Sequence, residues 1–273
     1  MEENDYRTQN PNPEEGLEIR TYFVRHRNAL LARADFGELY VDYYLHLAEH
    51  GLRPEAAHDA VFKNALATLV LHCASRPQNE TVAWTINLQE PLLNIFVAGS
   101  NPGVSVTGQV FNEGVRERAE NLFCADVVRG NEEPRRSVVS FEGGDLFRAV
   151  EWFYRQSEQR RARYFRISEE DFVMIVAQPD CDLEWLESLD DEAVKSLDRV
   201  EKLSLLEQRR YRWECGCSQE RILQVLVSPH QSDPEALFGG GESVRISCPR
   251  CGSRHTITRE VLEAYLAQSQ EKK

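Results

Sequence analysis

The sequence predicts an α+β protein: a mixed α/β core with an antiparallel sheet, then a helical linker, then a small domain near the C-terminus. Three observations predict this fold class. Strand-like alternation and long apolar helical stretches occupy residues 17–178, amphipathic helical spacing follows over 180–207, and two closely spaced cysteine pairs come after that. The predicted boundaries are 1–16 for an acidic tail, 17–178 for the core, 179–212 for the linker and 213–273 for the cysteine-containing domain.

Composition excludes several classes of protein. The chain has 273 residues and a net charge of −13, which argues against wholesale binding to nucleic acid or to an anionic membrane. No apolar run approaches the roughly 18 residues that a membrane span needs. The N-terminus, Met-Glu-Glu-Asn-Asp, is not a secretory signal. Three of the seven cysteines are scattered, which fits a reducing cytoplasm.

The first part of the chain should contain a tail, two strands and two helices. Residues 1–16 are acidic and rich in proline, so we predict disorder there. Alternating apolar residues over 17–35 indicate two strands. A helix should run from Phe36 to His50 and end at Gly51, and a largely apolar helix over 54–75 should lie in the core.

A meander of antiparallel strands should follow. The predicted strands are 80–89, 92–98, 104–111 and 137–141, with two further strands at 163–167 and 172–177. Residues 112–136 are highly charged and poorly periodic, and we assign no element to them. Asp145 should cap a helix that begins at Leu146 and ends near Gln159.

Three motifs in the core have an enzymatic interpretation and a structural one. His46-Leu-Ala-Glu-His50 has the form of an inverted zinc-peptidase motif, but both histidines lie in the last turn of their helix. His72 and Cys73 are adjacent on a helix and point about 100° apart, so core packing is favoured over a dyad. Gly143-Gly-Asp145 is explained by a turn and a helix cap without cyclase chemistry. We therefore predict that the protein is not an enzyme.

The linker is acid-rich and amphipathic. Its apolar residues recur at helical spacing, and a stripe on one face should pack against the core. Arg209-Arg-Tyr-Arg-Trp213 comes next and should form the first strand of the C-terminal domain. The stripe that we predict consists of Leu186, Val194, Leu197 and Val200.

Four cysteines have the spacing of a tetrahedral metal site. Cys215-Gly-Cys217 and Cys248-Pro-Arg-Cys251 are separated by thirty residues that include a predicted helix, 218–227, and a predicted strand, 243–247. Four thiolates favour Zn²⁺, with iron as the second choice. A metal with four protein ligands has no open position for water, so hydrolysis at this site is disfavoured.

Two functions remain open for the cysteines. They can be a structural staple for a zinc-stapled module that binds nucleic acid or a protein through residues 209–259. Alternatively, the Cys-x-Cys pair, with arginines and His255 near it in sequence, can be a redox switch, because nearby positive charge favours the oxidisable thiolate.

The chain resembles the 33-kilodalton heat shock protein family, the redox-regulated bacterial chaperone holdases. The resemblance rests on Trp213-Glu-Cys-Gly-Cys-Ser-Gln-Glu-Arg221 and the Cys248-Pro-Arg-Cys251 pair, and it extends to Phe153–Gln159 and Leu88–Ala98. It covers about residues 17–266. The family's glycine-lysine-glycine stretch is missing near residues 122–136, and Val173-Met-Ile replaces its Gly-Gly, so the chain is a divergent member.

The resemblance implies an ATP-independent chaperone of the cytoplasm that binds unfolding client proteins under oxidative stress. Cys215, Cys217, Cys248 and Cys251 would bind one zinc ion in the reduced, inactive form. Oxidation would form the disulfides Cys215–Cys217 and Cys248–Cys251, release zinc, unfold the linker and expose a client surface. The active form in this family is often a homodimer.

Overall fold

A ten-stranded sheet and a separate two-stranded hairpin organise the molecule, which is described by a computed structural model over residues 15–271. The tail predicted for 1–16 lies outside the described residues, except for its last two. The α+β class is confirmed. The strands of the large sheet are β1 Leu17–Val24, β2 Ala29–Asp35, β3 Glu80–Gln89, β4 Leu92–Ser100, β5 Ser105–Phe111, β6 Asn121–Arg129, β7 Arg135–Phe141, β8 Ala162–Arg166, β9 Asp171–Ala177 and β10 Leu203–Trp213.

The large sheet consists of two antiparallel halves that meet at β10. The strand order is β7-β6-β3-β4-β5-β10-β1-β2-β9-β8. β10 pairs antiparallel with β1, whereas its last two residues, Arg212 and Trp213, pair parallel with Ser105 and Val106 of β5. A single strand, close in sequence to the four paired cysteines, therefore joins the halves of the core.

Three helices cover one face of this sheet: α1 Gly37–Glu49, α2 Ala56–Ala74 and α3 Leu146–Phe153, which continues as a π-helical turn over Tyr154–Glu158. From Ala65 to Ala74 every residue of α2 is buried, because the helix is apolar on all sides and packs between α3 and the sheet. This confirms the central position predicted for the helix over 54–75.

Residues 112–136, to which the sequence analysis assigned no element, contain a strand. β6 pairs with β3 from Leu122 to Arg129, and its Phe123 and Ala125 are buried in the core. Charged Asp126 and Arg129 interrupt the apolar pattern, but both make ion pairs, with Arg136 and Glu80 respectively. These partners are distant enough in sequence that local periodicity could not reveal them.

Three short helices pack on the opposite side of the β1-β2-β9-β8 half: α4 Leu183–Ser188, α5 Asp191–Lys195 and α6 Leu197–Val200. The prediction of helices over 180–207 is correct as far as Val200 and wrong beyond it, because β10 begins at Leu203. The predicted packing of Val200 is also wrong, since its side chain is 73% exposed, whereas Leu186, Val194 and Leu197 are buried.

The segment 209–213 belongs to the core sheet and not to the C-terminal domain, which corrects the prediction. Tyr211 is fully buried, and its hydroxyl donates a hydrogen bond to Asn101 Oδ1 at 2.8 Å. Local reasoning predicted a strand over 209–213, but it predicted neither the start of β10 at Leu203 nor its partner β1, which lies at the other end of the chain.

The C-terminal region contains α7 Gln219–Ser232, α8 Pro234–Phe238, the antiparallel pair β11 Ser243–Ser247 and β12 Arg254–Thr258, and α9 Arg259–Glu271. The helix predicted near 218–227 and the strand over 243–247 are confirmed. We call residues 214–271 the C-terminal module. Its apolar cluster has five buried residues: Leu223, Leu226, Phe238, Ile257 and Leu262.

Candidate metal centre

The four paired cysteines converge on one point. The Sγ atoms of Cys215, Cys217, Cys248 and Cys251 all lie within 4.8 Å of one another. Cys215 Sγ is 3.7 Å from Cys248 Sγ, and Cys217 Sγ is 3.6 Å from Cys251 Sγ. Sulfurs at about 2.3 Å from a tetrahedral zinc ion would be about 3.8 Å apart, whereas disulfide sulfurs are about 2.05 Å apart. The donor set therefore fits a tetrahedral metal ion.

Two glycines allow the turns that carry these sulfurs. Gly216 has φ 66° and Gly252 has φ 76°, in the left-handed region where a side chain is disfavoured. Backbone hydrogen bonds close the second turn, because Cys248 N donates to Ser253 O at 2.8 Å and Gly252 N donates to Cys248 O at 2.9 Å. The hairpin β11–β12 holds the ends of this turn together.

Hydrogen bonds among the sulfurs favour a thiolate even without metal. Bonds from Cys215 and Cys251 lower the pKa of the Cys217 thiol, with a smaller contribution from His255. Conversely, the bond to Cys217 raises the pKa of Cys215 to about 11. The pKa of Cys251 is raised by its bonds to Cys215 and Cys217. One ionised sulfur shared among thiols is a suitable starting point for metal uptake.

The three cysteines outside the cluster are disfavoured as thiolates, because burial raises their pKa values. Burial raises the pKa of Cys73 to about 12. Burial also raises the pKa of Cys124 and of Cys181, which are partly exposed. The prediction that Cys73 would be buried on an apolar helix is confirmed.

The arginines near the cysteines in sequence bind backbone carbonyls. Arg250 Nη1 donates to Cys215 O at 3.4 Å, and Arg254 Nη1 donates to Gly51 O at 3.4 Å. Two of the three arginines of β10 are also compensated, because Arg209 pairs with Glu207 and Arg210 pairs with Glu18. This internal pairing weakens the interpretation of segment 209–213 as a nucleic-acid contact.

The histidines of the His46-x-x-Glu-His50 motif contact the module, but not as metal ligands. His46 Nε2 lies 2.9 Å from the carbonyl oxygen of Cys251, and His50 Nδ1 accepts from Arg254 N at 3.3 Å. The sequence motif singled out these two histidines as possible zinc ligands of a peptidase, whereas the structure shows them in contact with the module. Gln109, which also contacts the module, carried no sequence signal at all.

The other core motifs have structural roles. Asp145 Oδ1 accepts hydrogen bonds from Phe147 N at 2.9 Å and Arg148 N at 3.4 Å, which confirms the predicted cap. His72 is buried and its Nδ1 lies 2.5 Å from the Tyr154 hydroxyl, so it is part of the core. Among the described residues, no helix combines the length and apolarity needed to cross a membrane.

Comparison with known proteins supports one family. A family model described as Hsp33 protein matches residues 166–258. The 33 kDa chaperonin of Thermoanaerobacter sp. (strain X514) is 22% identical over 299 residues, covering 93% of this chain and 100% of the relative. The 33 kDa chaperonin of Caldanaerobacter subterraneus subsp. tengcongensis is 22% identical over 81% of this chain and 89% of its own length.

The fold agrees with this assignment. The crystal structure of the 33 kDa chaperonin from Thermotoga maritima superposes with a TM-score of 0.69 at 13% identity, covering 94% of this chain and all of the other. At that identity the likeness shows the fold alone. The family match over residues 166–258, the relatives and the cluster of four cysteines together support a member of the Hsp33 family.

Proposed function

We propose that this protein is a redox-regulated, ATP-independent holdase that binds unfolding proteins under oxidative stress. The observation that carries the proposal is the position of the linker helices. α4–α6 cover an apolar sheet face, and the chain then leads through β10 directly to the four clustered cysteines. The family and its 33 kDa chaperonin relatives fit a chaperone.

In the reduced state, Cys215, Cys217, Cys248 and Cys251 would hold one zinc ion per chain. The ion would fix four thiolates at one point and so stabilise the module. Oxidation would join Cys215 to Cys217 and Cys248 to Cys251. Each disulfide removes two electrons from two thiolates, and one peroxide molecule accepts them together with two protons from the solvent to give two water molecules. The oxidised sulfurs are then no longer thiolate ligands, so zinc would leave.

The linker is suited to respond because it is held by a small number of contacts. Its helices are too short to be stable alone. Leu186, Val194 and Leu197 pack on the sheet cluster that includes Leu31 and Val173. Removing this cover would expose a contiguous apolar surface, which is the property a holdase needs.

Polar contacts hold the two ends of the linker to the core. Arg27 pairs with Asp182 at 2.6 Å and with Glu201 at 2.8 Å. Arg163 donates to the carbonyls of Leu186 and Leu189 at 3.2 Å each. These groups are partly exposed, so each pair contributes little. We therefore expect the linker to open before the core does.

β10 modifies the proposed domain boundaries. A linker of 179–212 would include most of a strand that pairs with β1. We propose that the responsive segment is 179–202, that β10 stays with the core, and that the C-terminal redox-switch domain follows it. Under oxidation, tryptic cleavage should open at Arg199 and Lys202, whereas Arg209 and Arg210 should stay protected in the sheet.

The test follows zinc, thiols and client aggregation together. Reduced protein should contain one zinc ion per chain and should not suppress aggregation of a chemically denatured client. After peroxide or hypochlorite it should release zinc, contain the two proposed disulfides and suppress aggregation. Equal suppression before and after oxidation would contradict the redox switch. A dominant Cys124–Cys181 product would contradict the assignment of the reactive cysteines.

The cellular setting of the proposal is a reducing cytoplasm, where the cysteines stay ligated until an oxidant appears. We also propose, from the family resemblance, that the oxidised protein forms a homodimer. Sedimentation velocity on reduced and oxidised samples measures this directly. A monomer in both states would contradict it.

A further inference from the structure

A contact outside the linker also joins the metal centre to the core. The turn Cys248–Gly252 carries two of the four sulfurs, and we call it the cysteine knuckle. It lies against α1, the loop after α1 and strand β5. Gln109, on β5, donates through Nε2 to the carbonyl oxygens of Cys248 at 3.2 Å and Pro249 at 2.6 Å.

The third carbonyl of the knuckle is bound from α1. His46 Nε2 lies 2.9 Å from Cys251 O, and the histidine is only 8% exposed. A carbonyl oxygen can only accept, so His46 donates from Nε2 in this contact. Gln109 and His46 thus hold three of the knuckle's carbonyl groups, and both metal ligands in that turn are attached to the core through their own backbone.

The fit around the knuckle is tight. A Cβ atom at Gly252 would lie 3.0 Å from both Gln109 Oε1 and Leu52 Cδ1. Beside it, the ring of Trp213 packs against Tyr43 and His46, with centroid distances of 5.1 and 5.5 Å. The module is therefore docked in one position, and the knuckle has to keep its shape to remain there.

We infer that Gln109 and His46 are positioning residues that hold the cysteine knuckle against the core, and we call their contacts with it the latch. The latch is intact when the four cysteines are reduced and breaks when they are oxidised, and this change does not depend on the linker. The regulatory part of the inference rests on the proposed function, whereas the docking part does not. A disulfide between Cys248 and Cys251 would draw their sulfurs from tetrahedral spacing to about 2.05 Å. The knuckle would have to change shape, and its carbonyls would leave the two donors.

The latch is tested on the reduced, zinc-loaded full-length chain with Gln109→Leu, which removes the donor and keeps an apolar body of similar size. Amide exchange over the knuckle and β12 should rise about tenfold, which corresponds to the loss of one effective hydrogen bond. Trp213 emission should shift to longer wavelength. Zinc content should remain one per chain, because no ligand is changed.

Three further variants make the test specific. Gln109→Lys restores a donor and should recover most of the protection. His46→Phe keeps a ring without its donor and should loosen the same amides as Gln109→Leu. Gln208→Leu, at an exposed position on the neighbouring β10, is the matched control and should change nothing. Unchanged exchange in both Gln109→Leu and His46→Phe would overturn the latch, as would equal loosening in Gln208→Leu.

The regulatory part has its own readout. Under peroxide, Gln109→Leu should release zinc several times faster than the wild type, because the knuckle is already free to change shape. An unchanged release rate, with the amides loosened, would overturn the coupling while leaving the docking intact. If oxidised wild type never suppresses client aggregation, the proposed function fails, but the exchange result for the latch is unaffected because it uses neither oxidant nor client.

Discussion

The core and the C-terminal module are stabilised in different ways. The core buries large side chains from every layer, among them Trp84, Phe36 and Phe123. Among the described side chains of the module, apolar burial is confined to the small cluster around Leu223 and Leu262. A body of this size gains little from burial alone. The comparison indicates that apolar packing makes the core independent, and it leads us to expect that the module depends on a metal ion bound by the four cysteines and on docking to the core.

Metal loss should have the largest effect and should be confined to the module. Structural zinc sites contribute roughly 10–16 kcal/mol near neutral pH. We expect Cys248→Ser to abolish zinc binding and to remove amide protection from residues 214–258, while β1–β9 keep theirs. Zinc analysis and hydrogen exchange measure both. Cys124→Ser, outside the cluster, should do neither.

If Cys248→Ser kept its full zinc content and the native amide protection of the module, the contrast between a core stabilised by packing and a module stabilised by metal would be contradicted. The module would then be stable through packing that its small apolar cluster does not suggest.

A substitution that creates a cavity in the core should destabilise the core and leave zinc binding by the module unchanged. Trp84 is fully buried, with His72 and Phe123 at ring distances of 5.0 Å each. Trp84→Ala should lower the free energy of unfolding by about 3–5 kcal/mol. Urea denaturation measures this, and zinc content of the remaining folded protein should stay unchanged. Trp152→Ala, at a 39% exposed position, is the control and should cost far less. A module that lost zinc in folded Trp84→Ala would show that the two regions are not separable.

Substitutions in the linker should have effects of intermediate size. Leu186 is fully buried and Val200 is 73% exposed. Leu186→Ala should lower the free energy of local opening of the linker by about 2–5 kcal/mol. Val200→Ala should change that free energy by less than about 0.5 kcal/mol. Limited trypsin digestion at Arg199 and Lys202 measures the opening. Equal cleavage of the two variants would contradict the buried stripe.

Sequence patterns correctly predicted the elements whose structure is determined by residues close together in the chain. The Cys-x-Cys and Cys-x-x-Cys spacing predicted a cluster that the structure brings together, and Asp145 predicted its helix. The buried α2 followed from apolar residues on every side. For the linker, helical spacing predicted three buried positions correctly, but it could not exclude Val200, because an exposed valine at the end of a helix has the same period.

Pairings between distant segments were not predictable in this way. β10 depends on β1 across most of the chain, and β6 carries charges that are compensated by Glu80 and Arg136. Gln109 and His46 belong to the site only because β5 and α1 meet the knuckle in space. Such roles follow from tertiary contact, and a single sequence contains no local signal for them.

The smallest predicted effect is a pH dependence of stability that arises from His72, a residue of the core. Burial, and then the charge of Arg76, hold the pKa of His72 well below its ordinary value of about 6.5. The unfolded chain therefore binds a proton that the folded core does not. Stability from this residue is fully present above about pH 6.5 and falls as the pH drops below it.

His72→Asn removes the titrating group and can place an amide near the Tyr154 hydroxyl that His72 Nδ1 meets at 2.5 Å. The variant should be less stable at pH 7 because its packing is poorer. Between pH 7 and 5.5, however, it should lose less stability than the wild type, by roughly 1 kcal/mol, because every other titrating group is common to both proteins. Urea denaturation of each protein at the two pH values gives this double difference. A double difference near zero would mean that His72 is protonated in the folded core, and that the Tyr154 contact is strong enough to offset its burial.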